Sequence, residues 1–325
     1  MKFQELKKSL SNNQAKQFYL ITGEDAYLRE NAYTILKNAF LTEPDLNLNT
    51  FTGEDLLKDP ETFLTAMQSY PFLSEKRFVL VREFYPTAQD LKNKILKRAF
   101  FEIVETTILI IINAQNNENL KKIDGVEIVD CKKLDLNTIS LFVRNKAKAH
   151  NLVVQSGVIE TLCEFCSYDM SKIDMETSKL IAYSNGEGEI SMQAVEMVVT
   201  KDADYQIYEL AENIANGKTD NAYETLKSML TKNESEQKLF VSIYYHFRRL
   251  FYSLISVASD SELAKSLGVH EYAVKKARQQ AKKFTPKRLK GIVDKLAEYD
   301  TAFKSGKLTL TDALFNSIFN IIIGD

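Results

Sequence analysis

Along roughly the first 136 residues, two patterns of apolar positions take turns. Short runs at 18–22, 78–81 and 107–112 are apolar at nearly every position, and weaker ones at 48–51 and 126–129 mix apolar with polar residues; all are rich in β-branched and aromatic residues. Between them, apolar residues recur every three or four positions, as in Leu28, Ala32, Ile35, Leu36 and Phe40. Continuous apolar runs are what strands buried on both faces look like, and the 3.6 period marks the helices that cover them. Strand and helix in alternation predict an α/β domain over 1–136, a parallel sheet with helices on both sides. From 137 the strand signals stop. Asn137 caps a helical pattern, Ser156 and Asp169 open two more, and Asn185-Gly186-Glu187-Gly188 makes a turn before Ser191 starts another. This predicts a small helical domain over 137–203. Residues 204–325 are helical throughout, with stops at Asn216-Gly217, Gly268 and Gly306 and with Pro286 at a helix start.

The longest of these patterns, from Ser235 to Val257, carries Leu239, Phe240, Ile243, Tyr244, Phe247, Leu250, Phe251, Leu254 and Ile255. That apolar face is wider than one neighbour can cover, so the helix is expected at the centre of a bundle or an oligomeric collar. In the first domain, Pro71 ends a helical pattern and throws Phe72 and Leu73 onto a turn after Tyr70. Large apolar side chains on a turn either tuck under their own domain or anchor in a pocket on a partner.

Composition narrows the field. The 325 residues carry 42 Lys and Arg against 44 Asp and Glu, so any basic surface must be local. No apolar run approaches the roughly 18 residues of a membrane span, and the expected location is the cytoplasm. Three cysteines argue against a disulfide framework. Cys163 and Cys166 form a C-x-x-C inside a helical pattern; buried helix cysteines are one explanation, metal or redox chemistry the other.

One stretch is locally basic: Lys275, Lys276, Arg278, Lys282, Lys283, Lys287, Arg288 and Lys290, with no acid between Tyr272 and Val293. It fits a DNA-phosphate patch or a solvated helix face. Overlapping it, residues 261–278 have the small residue, glycine and valine spacing of a helix-turn-helix (Ala264, Gly268, Val274), a spacing any tight helix corner shares. A DNA-binding regulator using this element is therefore a rival function.

The candidate chemistry lies where the first strand meets its helix. Phe18 to Glu30 reads as strand, turn and helix, the place where a phosphate-binding loop would bring glycines and a lysine to a nucleotide. Here Gly23 is followed by Glu24 and Asp25, with no lysine or hydroxyl pair, so two negative charges occupy the phosphate position. The third strand ends in Arg82-Glu83, where an ATPase would keep an acidic pair for magnesium; a cation stands in the place of a cation ligand. Asn113 ends the fourth strand, either as a phosphate sensor or as a turn cap. An active P-loop enzyme is a third reading, and the broken loop and Arg82 argue against it.

Taken in order, Tyr19 to Asp25, the Pro71-Phe72-Leu73-Ser74-Glu75-Lys76-Arg77 turn, Thr107 to Ile111, Asp169-Met170-Ser171-Lys172-Ile173 with Glu176, Lys179, Leu180 and Tyr183, Ala264 to Val274, Gln280 to Phe284, then Leu296, Asp300, Lys304 and Gly306 resemble the delta subunit of the bacterial DNA polymerase III clamp loader. Glu271 departs from the proline common in that family. The resemblance implies a RecA-like AAA+ domain with a degenerate phosphate loop, a helical lid and a helical collar. It implies no catalytic residue, metal or cofactor in this chain, with ATP bound by partner subunits. The implied partners are the beta sliding clamp, the gamma/tau ATPases, delta prime and primed DNA at the replication fork. The implied task is to bind and open the clamp through a wedge of Tyr70, Pro71, Phe72 and Leu73, within a holoenzyme that is a DNA-directed DNA polymerase, a nucleotidyltransferase.

Overall fold

The computed structural model of the chain describes residues 1–10, 16–231, 235–269 and 271–323. His270, expected to open a helix, lies outside them. The chain forms two compact units, Met1–Lys146 and Ala147–Asp325.

In the first unit the elements run α1 (Phe3–Ser9), β1 (Phe18–Thr22), α2 (Ala26–Phe40), α3 (Pro44–Asn47), β2 (Leu48–Thr52), α4 (Gly53–Lys58), α5 (Pro60–Gln68), β3 (Arg77–Arg82), α6 (Lys94–Phe101), β4 (Thr107–Asn113) and β5 (Val126–Asp130), with α7 (Leu136–Lys148) at its end. The five strands pair in parallel in the order β2-β3-β4-β1-β5. β1 and β4 are buried at every position, which is why their sequences are apolar without alternation. The pleat still sorts their side chains. Phe18, Leu20, Val79, Val81, Leu109 and Ile111 face one core, where the Phe100 ring meets those of Phe18, Phe63 and Phe84 at 5.9, 5.8 and 6.2 Å. Tyr19, Ile21, Phe78, Leu80, Ile108 and Ile110 face the other, against Leu28, Ala32 and Leu36 of α2. β1 lies between β4 and β5, yet the chain leaves it for β2 at the far edge. The carboxyl end of β1 is thus a topological switch point, where open α/β sheets bind ligands.

The second unit holds β6 (Val153–Val154), α8 (Val158–Phe165), α9 (Met170–Tyr183), β7 (Glu189–Ile190) and α10 (Met192–Val198), then α11 (Ala203–Ala215), α12 (Thr219–Thr231), α13 (Glu236–Ile255), α14 (Asp260–Leu267), α15 (Glu271–Ala281), α16 (Pro286–Lys304) and α17 (Leu310–Ile323). One correction to the sequence pattern stands here: β6 and β7 pair in parallel in a region expected to lack strands. Two residues apiece are too few to show a period of two. α13 packs against α11, α15, α16 and α17. Its Leu239, Phe240, Ile243, Phe247 and Leu250 are buried, and Tyr244, Phe251 and Leu254 close the sides, so the wide apolar face is covered by several helices at once; Ile255 at its end is exposed.

Candidate functional site

At the carboxyl end of β1 the turn is closed by the chain's own groups. Gly23 has φ 142, and a Cβ there would come within 2.4 Å of the Cys131 backbone. The Asp25 N–H donates to the Cys131 carbonyl at 3.1 Å, and the Asp25 carboxylate accepts from the Leu28 N–H at 3.0 Å, capping α2. Arg29 reaches back to donate to the Gly23 carbonyl. The helix N-terminus, whose free N–H groups would hold a phosphate, is therefore served by an internal carboxylate, while Glu24 is exposed beside it.

Arg82, at the end of β3, donates twice to Glu30 at 2.5 and 2.9 Å and lies 6.0 Å from the Tyr33 ring centre. Its bonds hold the Glu30 carboxyl below the usual range, against the effect of partial burial. Asn113 is fully buried and grips one residue: its Oδ1 accepts from the Phe84 N–H at 2.9 Å and its Nδ2 donates to the Phe84 carbonyl at 2.6 Å. Of the two roles left open by the sequence, this is the turn cap.

The turn at 70–74 lies at the opposite end of the strands, their amino end, where the chain enters β3. A five-residue strand spans about 17 Å, which sets the scale of that separation. α5 ends at Gln68, and Tyr70, Phe72 and Leu73 are 74%, 59% and 82% exposed. They are not tucked under the domain. Their backbone is nevertheless fixed from below. Asn47, fully buried at the end of α3, accepts from the Phe72 N–H at 2.7 Å and donates to the Phe72 carbonyl at 2.9 Å. The Thr42 and Ser74 hydroxyls meet at 2.6 Å, and Arg77 binds Asn49. Leu73 adopts φ 51, a left-handed conformation that a branched side chain takes only when its surroundings impose it. Neither Asn47 nor the left-handed Leu73 was named from sequence: an asparagine at a helix end reads as a turn former, and its burial depends on Phe72, 25 residues away.

The basic stretch divides. Lys276 pairs with Glu164, Lys283 with Glu212, and Lys290 with Asp294. Arg278 is an internal strut, bonded to Asp260 and to the carbonyls of Ser253, Ser256 and Ala258. That corrects its assignment to a phosphate-facing surface. Lys275, Lys282 and Lys287 are exposed, Arg288 lies 5.6 Å from the Phe284 ring centre, and among the described residues these four form no ion pair. α14 and α15 do meet across Gly268, left-handed at φ 66, around Leu263, Ala264 and Val274. α15, however, turns Val274, Ala277, Gln280 and Ala281 inward, besides Arg278, which leaves little of a reading face. Cys131, Cys163 and Cys166 are buried and unbridged, and burial pushes each thiol up to about 12. Among the described residues no cluster of three His, Cys, Asp or Glu is arranged for a metal, and no helix is long and apolar enough to cross a membrane.

Comparison with known proteins agrees with this architecture. The family model for the DNA polymerase III delta subunit matches residues 19–141, and that for its C-terminal domain matches 204–319. The DNA polymerase III subunit delta of Bacillus subtilis is 25% identical over 319 residues, 92% of this chain and 91% of that protein. The solved structure of the Bacillus subtilis DNA clamp loader delta protein superposes with a TM-score of 0.75 at 22% identity, over 99% of this chain and 100% of that one. With both halves matched in order, and with a RecA-like α/β unit followed by a helical one, the chain belongs to the DNA polymerase III delta subunit family.

Proposed function

We propose that this chain binds a ring-shaped sliding clamp through the turn at Tyr70, Pro71, Phe72 and Leu73 and favours its open form, without hydrolysing nucleotide itself. One observation carries the proposal: three large apolar side chains stand in water on a backbone that a buried asparagine holds still. Exposed apolar anchors on a rigid turn lose little entropy on docking, and such anchors dominate interface energies. A ligand shifts a two-state equilibrium only by its differential affinity, so opening requires that the turn bind the strained clamp better than the closed one.

The closed turn at Gly23 to Asp25 and the Arg82–Glu30 pair support the non-catalytic half of the proposal, since phosphate would have to displace a carboxylate and magnesium would meet a guanidinium. On this proposal ATP is bound by gamma/tau neighbours, delta prime completes the assembly, residues 137–203 and 204–325 work as lid and collar, and Lys275, Lys282, Lys287 and Arg288 face the phosphates of primed DNA. The test is the double change Phe72→Ala with Leu73→Ala, with clamp binding and thermal melting measured on one preparation. Clamp binding weakened at least tenfold, with melting unchanged, is the expected result. Full clamp binding, or a large drop in melting temperature, would remove these residues from the interface.

A further inference from the structure

The second unit contains a partly buried cation that the proposed clamp chemistry does not use. Arg249, on α13, is largely enclosed, and its Nε is shut off from solvent without a hydrogen-bond partner. Its Nη2 donates to His246 Nδ1 at 3.1 Å. That acceptor is neutral, as the neighbouring bonds require. With Nδ1 accepting from a guanidinium, His246 carries its proton on Nε2 and gives it to Gln280 Oε1 at 2.9 Å; the Gln280 amide in turn donates to the Tyr208 carbonyl and to Glu212. Burial, with Arg249 beside it, holds the His246 imidazole down to about 3. Arg249 therefore has a fixed hydrogen-bond partner and no ion pair: among the described residues no carboxylate lies within ion-pair distance of it, and the opposite charge that acts on it, from farther off, is that of Asp204. A partly buried charge whose compensation comes only from a carboxylate beyond ion-pair distance is favourably placed to take a closer anion.

The guanidinium lines a cavity of about 530 Å³, walled by Ser242, Arg248, Ser266, Gly268 and Val269 and also by Asp204. Two arginines and one carboxylate share that lining; Asp204 is exposed and within ion-pair distance of neither arginine, and the Arg248 guanidinium lies 5.6 Å from the Tyr252 ring centre. The space is within the range of ligand pockets and far larger than the share of one water molecule. We propose that this cavity is an oxyanion site, taking a carboxylate or phosphate group of a larger molecule onto Arg249 and Arg248, with the Ser242 and Ser266 hydroxyls as further donors. It is a site in the helical unit, independent of the turn at 70–73.

The test uses the full chain. Thermal melting is followed in chloride, inorganic phosphate and acetate at matched pH and ionic strength, for the wild type and for Arg249→Met. Phosphate or acetate should raise the wild-type melting temperature by a few degrees at tenfold excess over Kd, and above that by a constant step for each further tenfold in concentration. Arg249→Met should show no such rise, whatever its melting temperature in chloride. Response to phosphate alone identifies a phosphoryl group as the natural occupant, and response to acetate alone an acidic side chain. A second measurement needs no variant: amide resonances of Ser266 to Val269 should shift saturably as the effective anion is added to the wild type. No rise with either anion, a rise that survives in Arg249→Met, or resonances that stay in place would overturn the proposal.

Discussion

Two asparagines in the α/β unit do the same thing to a phenylalanine with opposite results. Asn113 bonds both the N–H and the carbonyl of Phe84, and Asn47 bonds both in Phe72. Each asparagine is fully buried, and each clamped phenylalanine adjoins a left-handed residue, Glu83 at φ 54 in one case and Leu73 at φ 51 in the other. Phe84 nevertheless disappears among Phe100 and its neighbours, whereas Phe72 stands 59% exposed. The clamp fixes a backbone and does not decide which way the side chain faces. That is settled by the surroundings: an aromatic core lies behind Phe84, whereas Phe72 stands between the exposed Tyr70 and Leu73, with the polar run Ser74-Glu75-Lys76 beyond.

This contrast can be broken by substitution, and the largest effect belongs to the hidden partner. Phe84→Ala should lower stability by about 3–5 kcal/mol, the usual loss for a buried phenylalanine; a denaturation midpoint close to wild type would show that the Phe84 ring is not core. Asn113→Ala comes next, at about 2–3 kcal/mol, because the two groups it strands on Phe84 are buried beyond the reach of water. Chemical denaturation measures it directly, and a loss under 1 kcal/mol would mean that the clamp is incidental. For Phe72→Ala the effect should move from stability to association: about 2 kcal/mol of clamp binding, roughly thirtyfold in Kd, with the melting curve unchanged. Equal binding by surface plasmon resonance would contradict that. Smallest is Asn47→Ala, expected to lower stability by about 1 kcal/mol since water can take over part of its role at Phe72. It should also speed amide exchange at Phe72 and Leu73 and weaken clamp binding a few-fold through lost preorganisation. Unaltered exchange would separate Asn47 from the turn it holds.

The sequence carried the sheet most plainly in β1, β3 and β4, because strands buried on both faces must be largely apolar; β2 and β5, only partly buried, carry Asn49 and Glu127 among their apolar residues. It carried the exposed turn as a pair of alternatives, since Pro71 ends a helix whether or not Phe72 is covered. It could not carry the asparagine clamps. Asn47 and Asn113 owe their role to partners 25 and 29 residues away, and periodicity is blind to such pairings. The basic stretch misled for a related reason: the acids that neutralise Lys276 and Lys283 lie 112 and 71 residues away. The short β6–β7 pair escaped because nothing in two residues distinguishes a strand from the end of a loop.

The three buried cysteines have a practical consequence. Thiol-directed dyes react with the thiolate, and with each native thiol pushed up to about 12 only on the order of one in a hundred thousand is ionised near neutral pH, behind a wall of packed side chains besides. A single cysteine introduced at Tyr70 would therefore be the one fast-reacting position on the otherwise native chain. A fluorophore placed there would report, in real time and with no background to subtract, the moment at which the exposed turn leaves water.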